Sequence, residues 1–362
     1  MIKKTILIVL CVSPILLHAI ECKLSRTFDI RQEEVLLRTP YSFCVTHRDE
    51  IIVVDGRAGD IKIYDSKGKF LGILGKKGPG PGEYMQPVFC DYQASRFAVI
   101  DMHKKRLLIY RDEGGGDFRI SGELPCWGGG FDLRIRGREI LVSGLQANRE
   151  KRMYSLYQVD MDSRNVRFLV PYWDKFGQSS WISFMKKRVE IANAPIIGLF
   201  GFCDHTRDHA YFVWEGDLRI IKTDIKTGKS SSFGGKTANY RQPEVSKAMN
   251  RAYQARDKAA LTRERQNLSC INGLFAHENY IGLLYGNYFP QSGGWRIYLQ
   301  LYSPEGRLLE EMILPEVSIT IPFKPAPTMF FDKSRQTLHY MYHRLDEEDE
   351  DRYSIAVFRI VQ

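Results

Sequence analysis

The segment FCVTHRDEIIVVDGRAGDIKIY, residues 43–64, returns 46 positions later as FCDYQASRFAVIDMHKKRLLIY, residues 89–110, without a gap. Each copy begins with Phe-Cys, continues into an apolar run that ends in aspartate, and closes on an apolar stretch that ends in tyrosine. Self-similarity with a fixed period of about 40 to 50 residues is typical of stacked structural units, and a four-stranded propeller blade has this size. The repeat therefore predicts a β-propeller.

Within each unit, the sequence has the pattern of short strands joined by tight turns. Residues 51–54 are a β-branched run followed by Asp-Gly, and residues 60–64 alternate polar and apolar side chains. Residues 65–68 then turn the chain into another apolar run. Together with the strand that begins at Phe43, this gives four strands connected by hairpins.

More diverged units follow at residues 131–170, 196–233, 271–314 and 327–361. The last unit has only three clear strands, whereas a spare strand at residues 26–30 precedes the first unit. A closed ring avoids an exposed sheet edge, so we expect the N-terminal strand to complete the last blade. The predicted fold is all-β, a six-bladed β-propeller of four-stranded blades. A degenerate seventh blade within residues 171–195 is the alternative.

The chain resembles the NHL-type repeat proteins. The resemblance rests on DIKIYD at residues 60–65 and on GKKGPGPGEY at residues 75–84, and it covers residues 40–112. It implies a similarity to the six-bladed propellers that several bacterial groups export. It therefore implies a fold and an envelope or extracellular setting, but no particular reaction.

The N-terminus has the features of a secretory signal peptide. Lys3 and Lys4 precede the apolar run of residues 6–17, and Ala19 ends a small-residue cleavage site. We expect residues 1–19 to be removed, which lowers the formal charge from +9 to +7 because Lys3 and Lys4 are lost. Residues 20–362 then form the propeller, in the periplasm or outside the cell. The alternatives are an uncleaved anchor or a buried first strand, while Glu21 argues against lipidation of Cys22.

The remaining sequence excludes several classes of protein. No later stretch is apolar enough for a transmembrane helix, and no nucleic-acid-binding module or concentrated basic stripe is present. Cys44, Cys90 and Cys203 occupy matching positions on the predicted innermost strands, where buried thiols pack as small apolar side chains. We predict no metal ligands, no cofactor and no catalytic residues, although a propeller enzyme would assemble its site from loops of different blades.

Two stretches interrupt the rhythm of the blades. Residues 171–195 are rich in aromatic side chains and could cap the ring or bind a partner. Residues 243–266 form a predicted helical insertion, because Ala248, Ala252, Ala255 and Ala259 recur at helical spacing. The predicted ligand-binding residues are Trp173, Trp181, Arg188 and Arg241.

From these features we predict a monomeric, non-enzymatic binding propeller with a ligand or partner, protein or glycan, at the mouth of the central channel. One alternative is a metal-dependent enzyme of the lactonase or lyase type, which requires oxygen or imidazole ligands converging on one point. The other is a structural component of an envelope assembly, which requires an exposed aromatic patch.

Overall fold

The computed structural model describes residues 20–31, 35–126, 130–150, 152–171, 201–214, 217–235, 237–241, 247–267, 269–289, 291, 294–319, 329–345 and 351–361. These residues contain 24 strands in six antiparallel sheets of four strands each. The sheets are the blades of a propeller, and their innermost strands contact one another in sequence around a central channel. The predicted six-bladed fold is thus confirmed.

The strands are numbered along the chain, beginning with β1 (Glu21–Asp29). Blade 1 contains β2 (Pro40–Val45), β3 (Ile51–Asp55), β4 (Asp60–Tyr64) and β5 (Phe70–Ile73). Blade 2 contains β6 (Pro87–Gln93), β7 (Arg96–Asp101), β8 (Arg106–Gly114) and β9 (Asp117–Pro125). Blade 3 contains β10 (Gly130–Arg136), β11 (Glu139–Ala147), β12 (Met153–Asp160) and β13 (Val166–Pro171).

The second half of the ring has the same construction. Blade 4 contains β14 (Gly201–His205), β15 (His209–Trp214), β16 (Arg219–Asp224) and β17 (Ser230–Gly234). Blade 5 contains β18 (Cys270–Ala276), β19 (Ile281–Phe289), β20 (Gly294–Tyr302) and β21 (Leu308–Ile319). Blade 6 combines β1 with β22 (Met329–Asp332), β23 (Thr337–Leu345) and β24 (Asp351–Val361).

The ring is closed by the pairing of its first and last strands. In blade 6 the order from the channel outward is β22, β23, β24 and β1, so β1 is the outermost strand. It runs antiparallel to β24, with Glu21 opposite Val361 and Asp29 opposite Ser354. The predicted closure by the N-terminal strand is confirmed, and the strand starts five residues earlier than the predicted residue 26.

Blade 1 is fastened to β1 at one tight turn. Gly68, in the turn between β4 and β5, has a φ of 78°, which glycine adopts without strain. A Cβ at this position would lie 2.0 Å from the carbonyl oxygen of Asp29, and Arg31 N–H donates to the Gly68 carbonyl at 2.9 Å. Glycine is therefore needed for both the turn and the approach of β1.

Blades 3 and 4 are direct neighbours. The N–H of Cys203 on β14 donates to Oδ2 of Asp132 on β10 at 3.0 Å. This contact joins the two innermost strands and leaves no room for another blade between them. The seven-bladed alternative is therefore wrong.

Asp55 and Asp101, matching residues of the repeat, hold the chain where it enters blades 1 and 2. Asp55 accepts the N–H groups of Arg38 (2.7 Å), Thr39 (3.0 Å) and Ala58 (3.1 Å). Asp101 accepts those of Met85 (2.9 Å), Gln86 (3.1 Å) and Lys104 (3.2 Å). Both aspartates therefore cap the backbone at the entry to their blade and at the turn that follows the second strand.

Blade 1 differs from blade 2 by a buried ion pair. The Nζ of Lys62, a fully buried side chain, donates to Asp55 at 2.8 Å and to Asp60 at 2.7 Å. Leu108 occupies the matching position in blade 2. The capping aspartate of blade 1 is therefore paired with a buried lysine, whereas the matching aspartate of blade 2 has a leucine at that position.

Apolar side chains fill the spaces between neighbouring blades. Phe331 on β22 stacks on Phe275 of β18 with ring centroids 4.4 Å apart, which joins blades 5 and 6. Cys44, Cys90 and Cys203 are buried on innermost strands, as expected for packing residues. Burial raises the pKa of the Cys44 and Cys203 thiols well above the usual range.

The helical insertion consists of α1 (Lys247–Gln254) and α2 (Lys258–Gln266). The chain turns between them, where Arg256 has a φ of 54°. Ala255 lies in this turn, so the alanine spacing is not one continuous helical stripe as predicted. Within the described residues, no helix combines the length and the apolar character that crossing a membrane requires.

Candidate functional site

A cavity of about 800 Å³ opens at one end of the central channel. Its walls are the carboxyl ends of β2, β6, β10, β14, β18 and β22 together with the turns that follow them. Every innermost strand runs in the same direction along the axis, so the carboxyl ends of all six lie at the same end of the channel. We call this cavity the channel mouth.

Side chains on the innermost strands tie each of the first four blades to the next. In each contact a side-chain oxygen accepts a backbone N–H of the following blade. The contacts are Cys90 N–H to Ser42 (3.0 Å), Ile135 N–H to Asp91 (2.7 Å), Cys203 N–H to Asp132 (3.0 Å) and Ala276 N–H to Asp204 (2.7 Å). These tethers fix the position of the carboxylates around the channel.

Asp91 keeps one oxygen available to a ligand. Its Oδ2 accepts the Ile135 N–H, whereas its Oδ1 has no hydrogen bond within the described residues, and the side chain lines the channel mouth. Burial raises the pKa of this carboxyl, although the nearby Arg134 acts in the opposite direction. A cationic group of a ligand would therefore find an oxygen here to which no described residue donates a hydrogen bond.

Arg134 presents a fixed guanidinium to the same cavity. Its Nη1 donates to Oδ1 of Asp132 and to the Leu133 carbonyl, each at 2.6 Å. Among the described residues, its Nε and Nη2 have no acceptor, and its side chain is 14% exposed at the channel mouth. A guanidinium held on one side can bind a carboxylate through its remaining N–H groups.

Burial also perturbs the partner of this arginine. It raises the pKa of Asp132 to about 6 although the Arg134 guanidinium acts against it. The cost of burying this carboxylate is therefore only partly offset.

A second cation, Lys333, follows the innermost strand of blade 6, and its side chain contacts blade 4. Its Nζ donates to Oδ1 of Asp204 and to the His205 carbonyl, each at 2.6 Å. Burial alone would raise the pKa of Asp204, but the positive charges of Lys333 and Arg134 and the hydrogen bond from Lys333 together outweigh it and hold the pKa below the usual range. Asp204 is therefore an ionised partner of Lys333.

His205 lies next to this pair and is uncharged at neutral pH. Burial and the charge of Lys333 lower its pKa to about 4. Its Nε2 lies 3.0 Å from the Ile135 carbonyl and its Nδ1 lies 3.2 Å from the Thr206 carbonyl. A neutral imidazole has one N–H, so it donates to only one of these carbonyls.

The rim of the channel mouth carries an oriented imidazole. Tyr92 OH donates to Oδ2 of Asp112 at 2.7 Å, and Nδ1 of His47 lies 2.5 Å from the same hydroxyl. Because the hydroxyl has a single proton, Nδ1 of His47 must be the donor to it. The His47 side chain is 55% exposed, and its Nε2 lies 3.4 Å from Nη1 of Arg48.

The charges below the rim are unequal in number. Three carboxylates, Asp91, Asp132 and Asp204, surround two cations, Arg134 and Lys333. The groups that lack a complete set of partners among the described residues have both signs, because Asp91 Oδ1 is an acceptor and the Arg134 guanidinium is a cationic donor. The channel mouth is therefore suited to a ligand that both donates and accepts charge-assisted hydrogen bonds.

The structure does not place the predicted ligand-binding residues at the channel mouth. Trp173, Trp181 and Arg188 lie outside the described residues. Arg241 precedes the helical insertion, where its N–H donates to Ser269 Oγ at 2.7 Å and its Nη1 to the Tyr288 carbonyl at 2.9 Å. Ser269 precedes β18, so Arg241 lies near the end of that strand opposite the channel mouth. Its role in binding stays a prediction.

Four charged residues that line the channel mouth are not among the ligand-binding residues predicted from the sequence: Asp91, Arg134, Asp204 and Lys333. One sequence feature could have identified two of them. The tripeptide Phe-Cys-Asp occurs at residues 89–91 and again at residues 202–204, both on innermost strands. A buried aspartate repeated next to the axis indicates a structural or binding role.

The metal-dependent alternative has no ligand set in the described part of the chain. There, no three histidine, cysteine, aspartate or glutamate side chains converge as a metal site requires. The sequence also contains six consecutive acidic residues, 346–351, of which only Asp351, the first residue of β24, is among the described residues.

Comparisons with known proteins agree with the fold. A family model, DUF5128, described as a 6-bladed beta-propeller, matches residues 20–125. A DUF4221 family member from Bacteroides vulgatus has a TM-score of 0.63 at 11% identity, over 95% of this chain and 99% of that chain. A Bacteroides fragilis protein assigned as exported has a TM-score of 0.56 at 13% identity, over 94% of this chain and 96% of that one.

A luciferin-regenerating enzyme is also similar, with a TM-score of 0.50 at 10% identity, over 92% of this chain and 94% of that chain. No curated protein matches the sequence. At such low identities the structural likeness shows the fold alone. The chain is a six-bladed β-propeller that shares its architecture with the Bacteroides proteins.

Proposed function

We propose that this protein is an exported, non-enzymatic binding propeller whose ligand occupies the channel mouth. The ligand carries both an ammonium and a carboxylate group, as amino acids and short peptides do. The observation that carries the proposal is that Asp91 Oδ1 and the Arg134 guanidinium line one cavity without complete partners among the residues that the structure describes. The ammonium group pairs with Asp91 and the carboxylate with Arg134.

The size and charge of the cavity support this ligand class. A volume of about 800 Å³ is within the range of small-molecule sites and accommodates a short peptide. An ammonium group would also balance the excess carboxylate below the rim, where burial makes an unpaired charge costly. A ligand with only one of the two groups would engage either Asp91 Oδ1 or the remaining N–H groups of Arg134, but not both.

The rigidity of the site supports binding as well. Asp91 is tethered to Ile135, and Arg134 is held by Asp132 and by the Leu133 carbonyl. Side chains that are already fixed lose little conformational entropy when a ligand arrives. The binding groups therefore do not have to be ordered by the ligand.

Export is supported by two observations. The N-terminal 19 residues have the charge and hydropathy pattern of a signal peptide. The Bacteroides fragilis propeller with the same architecture is assigned as exported. N-terminal sequencing of the protein secreted by a bacterial host should give Ile20 as the first residue, whereas a start at Met1 would contradict export by cleavage.

Calorimetric titration with trialanine tests the ligand class. We expect binding of trialanine, and about ten- to 100-fold weaker binding of N-acetyl-trialanine and of trialanine amide, because each blocked form loses one charge-assisted hydrogen bond. Equal binding of the free and blocked peptides would contradict the assignment of the two charged groups. Failure of all three peptides to bind would contradict the ligand class itself.

The substitution Asp91→Asn tests the position of the ligand. The asparagine carbonyl still accepts the Ile135 N–H, so the tether remains while the negative charge is removed. We expect trialanine to bind about ten- to 100-fold more weakly, with N-acetyl-trialanine affected little. The control Asp117→Asn removes an exposed charge on the outermost strand β9 and should leave binding unchanged. Unaltered binding by Asp91→Asn would place the ligand elsewhere.

A further inference from the structure

Two cysteines meet at the interface between blades 1 and 2. Cys44 on β2 and Cys90 on β6 are matching residues of the repeat, and their Sγ atoms lie 4.0 Å apart. Both are buried, with 0% and 4% of their surfaces exposed. The separation corresponds to van der Waals contact between unbonded sulfurs, whereas a disulfide has an S–S length of about 2.05 Å.

The backbones that carry these thiols are already held side by side. Ser42 Oγ accepts the Cys90 N–H at 3.0 Å and donates to the Val88 carbonyl at 2.9 Å. Both bonds cross from β2 to β6: the first is made by Cys90 itself, and Ser42 and Val88 each lie two residues before a cysteine. Closing the gap between the sulfurs from 4.0 Å to about 2.05 Å requires rotation about the Cα–Cβ bonds of the cysteines, and the two strands that carry them are already in contact.

We propose that Cys44 and Cys90 form a disulfide between blades 1 and 2 when the chain folds in the presence of a disulfide oxidant. The thiolate of one cysteine attacks the oxidant and forms a mixed disulfide with release of one thiol. The second thiolate then attacks the cysteine sulfur and releases the second thiol. Two electrons pass to the oxidant, and the two cysteine protons end on the released thiols.

Burial determines when this reaction takes place. The folded interface excludes an oxidant, and burial raises the pKa of the Cys44 thiol so that little thiolate exists there. The exchange therefore occurs before blades 1 and 2 dock. Protein that folds in reduced form stays reduced, and protein that folds oxidised resists reductants.

The cellular compartment in which this disulfide forms depends on the proposed export, whereas the proximity of Cys44 and Cys90 does not. Disulfides persist in secreted and periplasmic proteins and are rare in the cytosol. Cys90 immediately precedes Asp91, so the crosslink would fasten the strand that supplies the ligand acceptor. Export and crosslinking can fail independently, because refolding in vitro tests the second without the first.

The test is oxidative refolding followed by peptide mapping. Reduced, denatured protein of residues 20–362 is refolded with a mixture of oxidised and reduced glutathione, unfolded again, and treated with iodoacetamide before proteolysis. We expect a peptide that links Cys44 to Cys90, two hydrogens lighter than the sum of its parts. We also expect a Tm about 5 °C above that of protein refolded with dithiothreitol. Carbamidomethylated Cys44 and Cys90 after oxidative refolding, or a link of either to another cysteine, would overturn the proposal.

Two variants serve as a matched pair. Cys44→Ala should abolish the linked peptide and the difference in Tm between oxidised and reduced protein. Cys203→Ala truncates the matching buried cysteine of blade 4 and should retain both. If Cys44→Ala fails to fold, the map of the unmodified chain together with Cys203→Ala still decides the outcome. A Tm difference that survives in Cys44→Ala would also contradict the proposal.

Discussion

Removal of residues 20–30 should abolish the single cooperative unfolding transition of the propeller. The deletion takes away β1, which pairs with β24 along its length, and leaves that strand with an unpaired edge. It also removes Cys22 and Leu24 from the core shared by blades 5 and 6, and Phe28 from the core shared by blades 6 and 1. Differential scanning calorimetry of the shortened and the complete protein measures the effect.

A peptide added in trans separates loss of the strand from general damage. A synthetic peptide of residues 20–31 should restore the transition, because an extended segment can pair with an open sheet edge. The same peptide with Leu24→Asp and Phe28→Asp should not, since charges replace the side chains that pack against the blades. An unchanged transition in the shortened protein would show that β1 does not close the ring.

The second large effect is expected for Asp55→Ala, which should lower the free energy of unfolding by about 4 kcal/mol. The substitution leaves three backbone N–H groups without their acceptor and deprives buried Lys62 of one of its two carboxylate partners. Urea denaturation followed by circular dichroism gives the value.

Blade 2 provides the matched control. Asp101→Ala removes the same kind of cap but leaves no lysine behind, because Leu108 occupies the matching position, so we expect a loss of about 2 kcal/mol. Lys62→Leu copies the arrangement of blade 2 and should change the free energy of unfolding by less than about 1 kcal/mol. Equal losses for Asp55→Ala and Asp101→Ala would show that the lysine does not contribute.

The same aspartate predicts a pH dependence. Burial acts to raise the pKa of Asp55, but the hydrogen bonds from Lys62 and from the backbone outweigh it and hold the pKa below its usual range. A lowered pKa in the folded state means that the stabilisation is complete above the unfolded pKa of about 3.9 and is lost as the pH falls through the folded value. In Asp55→Asn this acid-dependent loss should be smaller.

The fold could be predicted because its signals are local or repeated. The strands of blades 1 and 2 follow from alternation and turn residues within a few positions, and the 46-residue offset relates one blade to the next. Closure by the N-terminal strand followed from counting three strands in the last unit. The interruption of the helical insertion was not predicted, because the spacing of the alanines is compatible with one continuous helix and gives no sign of the turn at Arg256.

The channel mouth could not be predicted in the same way because its contacts join distant parts of the chain. Asp91 meets Ile135 across 44 positions, and Asp204 meets Lys333 across 129. Arg134 lies in the diverged third unit, where the alignment to the first two is weak. Residues 171–195 and 243–266 differ from the blades in their composition. The channel residues, in contrast, are single charged side chains on or next to otherwise regular strands.

The closing pair of strands also determines how the ring responds to force. Glu21 lies opposite Val361, so the chain arrives at β1 and departs from β24 at the same end of the pair. Tension between these two points separates the strands like a zipper, one pair of residues at a time, instead of shearing the whole ladder at once. The propeller therefore resists stretching only weakly when it is pulled at Glu21 and Val361.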